Sequence, residues 1–115
     1  MAHAQIARSR SNAFKHQHGR CYYCGFVMWQ SNQELFSKQH GLTLAQSRHL
    51  QCTAEHLVAR QDGGSNAQGN IVAACVTCNQ RRHKRATPPT PERYLALVAQ
   101  RVRVGKWFPF RPACG

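Results

Sequence analysis

Two Cys-x-x-Cys pairs, Cys21/Cys24 and Cys75/Cys78, constrain the fold of this chain more than any other feature. Each pair is a bidentate knuckle, and two knuckles supply the four thiolates of a closed, tetrahedral structural zinc site. A redox pair is the competing use of this spacing, but redox pairs occur singly, on a helix N-terminus after a strand. The matched second knuckle points to Zn²⁺. The need for a metal follows from size. A chain of 115 residues fits one small domain, which buries only about two-thirds of its unfolded surface, so its apolar core needs a metal, disulfides or a partner. The polar N-terminus has no apolar signal stretch, and no run of about 18 apolar residues occurs that would span a membrane. The expected compartment is therefore the reducing cytoplasm, where paired cysteines serve as ligands. Cys52 and Cys114 stand outside the pairs and are expected to be small buried or incidental thiols. The long stretch between the knuckles exceeds that of a simple zinc ribbon, so they enclose an insert, and function is expected there.

Charge narrows the partner. Lys and Arg number 16 against 4 Asp and Glu, a formal net charge of +12. Such a field concentrates phosphate at the surface, which favours nucleic acid and fits a protein-interaction module poorly. Arg81, Arg82, Lys84 and Arg85 form a basic run after the second knuckle, expected to contact phosphate. No segment reads as a base-reading helix, so sequence choice is expected to be weak or to come from a protein partner. The oligomeric state is left open.

Composition divides the chain into a basic arm or helix over 1–20, ended by Gly19; a core over 21–85; and a segment over 86–115 that covers the core. In the core, Ser31 and Glu34 fit a capping box that opens a helix over 32–40, stopped by Gly41. Between Leu50 and His56 the chain alternates, with Leu50, Cys52 and Ala54 on one face and Gln51, Thr53 and Glu55 on the other, and His56 at the strand end. The turn formers from Asp62 to Asn66 place a loop over 60–69. A short buried strand over 71–74 and a helix over 76–85 with a basic outer face follow. After the break at Thr87-Pro88-Pro89, Thr90 and Pro91 open a last helix. Its apolar stripe is Tyr94, Leu95, Leu97, Val98 and Val102, and Trp107, Phe108 and Phe110 anchor the tail.

Within the insert the order is Glu55-His56, Gly63-Gly64, Asn70, Cys75-x-x-Cys78-Asn79 and His83. The segment from Thr53 to Lys84 closely resembles the HNH endonucleases of the ββα-metal superfamily, in the subgroup held by a four-cysteine zinc, and the resemblance extends from Cys21 to about Lys84. It implies an α+β fold: a ββα-metal motif on a treble-clef-like zinc scaffold with additional helices. It also implies a role for each matching residue. His56 is the general base that takes a proton from the attacking water, and Asn70 ties down the loop that orients His56. Asn79 binds the catalytic divalent metal, and His83, four residues on along the same helix face, is a further ligand. Glu55 stands where the family usually has Asp as a metal ligand. The implied activity is DNA nicking that leaves 5′-phosphate and 3′-hydroxyl ends. Chemistry agrees, since phosphodiester hydrolysis needs a base near neutral pH and a cation opposite the charge developing on the leaving oxygen. His56 suits the first role and Glu55, Asn79 and His83 the second, with Mg²⁺ or another divalent metal such as Mn²⁺, Ni²⁺ or Zn²⁺. The alternative is a non-catalytic, zinc-stabilised nucleic-acid-binding module, which gives no reason for Glu55, His56, Asn70 and Asn79 in this order. The histidines at 3, 16, 18, 40 and 49 are expected to be ordinary.

Overall fold

The computed structural model describes residues 2–112, so Cys114 lies outside the described residues. Helix α1 (Ala2–His16) is followed by the first knuckle, α2 (Gln33–His40) and α3 (Leu44–Arg48). Strands β1 (Cys52–His56) and β2 (Ile71–Cys75) come next, then α4 (Val76–His83) and α5 (Pro91–Arg103). The strands pair antiparallel, with Cys52 opposite Cys75 and His56 opposite Ile71. The loop between them is shaped by 3₁₀ turns at Arg60–Asp62 and Gln68–Asn70. With α4 directly after β2, the architecture is α+β of the ββα-metal type.

A two-stranded sheet has two open edges and two faces to cover. Gln17, just past α1, closes one edge locally: its amide donates to Ala73 O at 2.8 Å and accepts from Ala73 N at 2.9 Å. Helix α1 lies on the face that carries Cys52 and His56. Helix α4 lies on the face that carries Thr53 and Glu55, which bond to Asn79, Arg82 and His83. This corrects the expected one-sided strand. Leu50 and Cys52 are buried as expected, but Ala54 is only half-buried, and Glu55, placed on the polar face by alternation, is 1 % exposed. Coverage of both faces removes the polar side that alternation assumes.

The core joins Leu50, Met28, Phe36, Ala73 and Ala74 to Tyr94 and Val98 of α5 and to Trp107 and Phe108 of the tail. Thr90 caps α5 by accepting from Arg93 N, and Pro91 occupies its first turn. Leu95, assigned to the apolar stripe, turns outward and is exposed. The start of α2 also differs from the expected Ser31/Glu34 box. Asn32 is the N-cap, with a left-handed φ of 54° that Asn tolerates, and its side chain accepts from Leu35 N at 3.2 Å. The reciprocal capping box belongs instead to α3, where Thr43 and Gln46 exchange bonds of 3.1 and 3.0 Å. Among the described residues, no helix is long and apolar enough to cross a membrane.

Candidate metal and nucleic-acid site

The sheet brings the two knuckles together. The sulfurs of Cys21, Cys24, Cys75 and Cys78 all lie within 4.8 Å of one another, and those of Cys24 and Cys75 are 4.0 Å apart. Four sulfurs about 2.3 Å from one ion define a tetrahedron with edges of about 3.8 Å, so the cluster fits a closed zinc site. Backbone amides support it: Tyr23 N and Cys75 N donate to Cys21 Sγ at 3.4 and 3.3 Å, and Cys78 N donates to Cys75 Sγ at 3.4 Å. The Trp107 indole donates to Cys78 Sγ at 3.3 Å, tying the tail to the second knuckle. Burial pushes the Cys21 thiol up, yet hydrogen bonds with the other three cysteines more than offset it and hold Cys21 well below the usual thiol value. Cys75 is pushed up, chiefly by its hydrogen bonds to Cys21 and Cys24.

A second cluster occupies the opposite end of the sheet. Asn79 and His83 share one face of α4, because residues four apart stack along a helix. Asn79 Nδ2 donates to Thr53 Oγ1 and Ala54 O, each at 3.0 Å, which leaves its Oδ1 without a donor among the described residues. The Glu55 carboxylate is divided between two environments. Its Oε2 accepts from the Tyr23 hydroxyl at 2.9 Å and from Arg82 at 3.1 Å, while its Oε1 lies 2.8 Å from His83 Nε2. Burial, and then the Glu55 charge, push the Tyr23 phenol far above its ordinary value, so it stays a hydrogen-bond donor. Glu55, His56, Asn79 and His83 line one cleft of about 560 Å³, with Arg60 and Arg85 on its walls.

The strand loop holds His56 in place. His56 Nε2 is 2.8 Å from Asn66 Oδ1, and the Asn66 carbonyl accepts from Ser9 of α1 at 2.8 Å. Asn70 cinches the loop: its Nδ2 donates to Val58 O at 3.0 Å and Ser65 O at 2.9 Å, and its Oδ1 accepts from Val58 N at 2.8 Å. The loop closes so tightly that a Cβ on Gly64 would lie 1.7 Å from the Val58 carbonyl oxygen, so no larger residue fits without moving the loop.

The basic run after the second knuckle is not one surface. Arg82, expected to contact phosphate, is 5 % exposed and spans from Glu55 to the Pro89 carbonyl. Arg81 stacks 4.7 Å over the Trp107 ring and donates to the Trp107 carbonyl. The cause is helical geometry. Position 82 falls four after the buried Cys78 and faces inward, where a buried carboxylate needs a counter-charge. Lys84 and Arg85 remain exposed. The sequence reading missed Arg60, Asn66 and Tyr23. Arg60 and Asn66 sit in the loop it had located, whereas Tyr23 carried no local signal.

No curated protein matches the chain. Residues 41–85, from the end of α2 to just past α4 and thus excluding the first knuckle, match the family model described as HNH endonuclease.

Proposed function

We propose, from the match of residues 41–85 to the HNH endonuclease family model, that the chain is a metal-dependent endonuclease that nicks DNA, with His56 as general base. The observation that carries this reading is the convergence of His56, Glu55, Asn79 and His83 on one cleft that Arg60 and Arg85 also line. Asn66 Oδ1 can only accept, so His56 carries its proton on Nε2 and keeps the Nδ1 lone pair for the attacking water. That water loses a proton to Nδ1, its oxygen bonds to phosphorus, and the bond to the 3′ oxygen breaks, giving 5′-phosphate and 3′-hydroxyl ends once solvent protonates the leaving oxygen. Asn70 keeps the loop and thus the imidazole in register. Arg60 and Arg85 hold phosphates at the cleft, and sequence choice is weak or comes from a protein partner.

The donor set fits a divalent cation, because Glu55 Oε1 and His83 Nε2 converge and Asn79 Oδ1 is open. When bound, the cation supplies positive charge opposite the negative charge developing on the leaving oxygen. Carboxylate, amide and imidazole together suit Mg²⁺, Mn²⁺, Ni²⁺ or Zn²⁺. Zn²⁺ at the four cysteines is structural. The basic N-terminal segment over 1–20, with α1 in it, and the segment after residue 85 serve as packing elements around a nuclease core over 21–85.

One observation favours the non-catalytic reading: the ion pair between Glu55 and Arg82 already neutralises the carboxylate. Supercoiled plasmid with a panel of divalent ions separates the two. Open circles should appear only when a divalent ion is added. Plasmid bound but uncut with every ion overturns the enzymatic reading.

Exposed and buried arginines should behave differently. Replacing Arg60 and Arg85 together by Ala should weaken binding to unrelated DNA sequences equally and lower the log–log salt slope by about 1.8, or about 0.9 per phosphate. An unchanged slope would remove both from the interface.

A further inference from the structure

We propose that Tyr23 is a positioning residue for the second metal site, fixing Glu55 so that Oε1 faces the cleft; this rests on the reading of Glu55, Asn79 and His83 as a divalent-cation site. Tyr23 lies inside the first cysteine knuckle, and its backbone N–H donates to Cys21 Sγ at 3.4 Å. Its ring is buried and gripped edge-on by Tyr22 and Tyr94, with centroids 5.2 and 4.8 Å away. The phenol thus has little freedom, and its hydroxyl ends 2.9 Å from Glu55 Oε2.

Oε2 takes that donor and Arg82 from inside the protein, while Oε1 meets His83, whose side chain is 36 % exposed. A carboxylate held by one oxygen cannot turn. The other oxygen is presented in one orientation, and that lowers the ordering cost of binding a cation. Arg82 alone is a weaker hinge, since its guanidinium is shared among Glu55, the His56 carbonyl and the Pro89 carbonyl. Through Tyr23 the four-cysteine cluster sets the geometry of a second centre at the other end of the sheet.

The test is Mn²⁺ affinity, measured by calorimetry on zinc-loaded protein without DNA. The variants are Tyr23→Phe, Glu55→Gln and Tyr94→Phe, with zinc content and melting temperature recorded for each. Tyr23→Phe removes one hydroxyl and keeps the ring, so zinc content should stay at the wild-type value while Mn²⁺ affinity falls about tenfold. Tyr94→Phe also loses a buried phenol hydroxyl, but one that does not touch Glu55, and should bind Mn²⁺ as the wild type does. Mn²⁺ binding lost in Glu55→Gln but unchanged in Tyr23→Phe overturns the positioning role alone. Equal weakening in both tyrosine variants overturns it too, because the effect is then general loosening. Mn²⁺ binding insensitive to Glu55→Gln overturns the metal-site reading, and this inference with it.

Discussion

Replacing His56 by Ala is expected to slow plasmid nicking by at least about 10²-fold while leaving DNA affinity within about threefold of wild type. The separation follows from where the side chain acts. On the proposed mechanism, proton transfer to His56 occurs only on the way to the transition state, whereas ground-state attraction comes from cations at the cleft, among them Arg60 and Arg85. The fold should be indifferent, because His56 is only partly buried and the loop is held by Asn70 rather than by the imidazole. Single-turnover cleavage with matched binding curves measures both quantities. A variant that cuts at nearly the wild-type rate would remove His56 from the chemistry and leave the cleft without a base.

Loss of the four-cysteine metal should have the largest effect on stability. Elemental analysis is expected to find about one tightly held zinc per chain, and Cys75→Ser or a strong chelator should yield unfolded or aggregated protein. Structural zinc contributes roughly 10–16 kcal/mol in small zinc domains, as much as the roughly 5–15 kcal/mol that separates a typical domain from its unfolded state. Cys75 ends β2 and caps α4, so its thiolate joins the sheet, the helix and the first knuckle at one point. Cys52 cannot replace it. It is buried outside the cluster of sulfurs. Circular dichroism and metal analysis of Cys75→Ser decide the matter, and a folded, metal-free variant would show that the cluster is not structural.

Local spacing made much of this protein readable before its fold was known. A Cys-x-x-Cys knuckle, a Gly-Gly loop and a pair of side chains four apart on a helix are fixed by a few consecutive dihedral angles. The cysteine cluster, the loop over 60–69 and the shared face of Asn79 and His83 were therefore legible in the order of residues. The hairpin and the helix after it were legible for the same reason. Which face of each element turns inward is another matter, because it depends on what packs against it. Alternation put Glu55 on a polar face, and the basic run made Arg82 a surface cation. Coverage of both faces of the sheet buried the two together as an ion pair. Tyr23 meets Glu55, and Asn66 meets His56, only because the knuckle and the loop fold back onto β1. No residue near Tyr23 in the chain signals a carboxylate 32 positions away. The sequence by itself determined the pairing of the two cysteine knuckles and the order of the elements, since both rest on short-range geometry. The tertiary structure alone decided which charges are buried, which remain exposed, and which side chains hold others in place, since a buried charge takes its partner from whatever surface the fold closes over it.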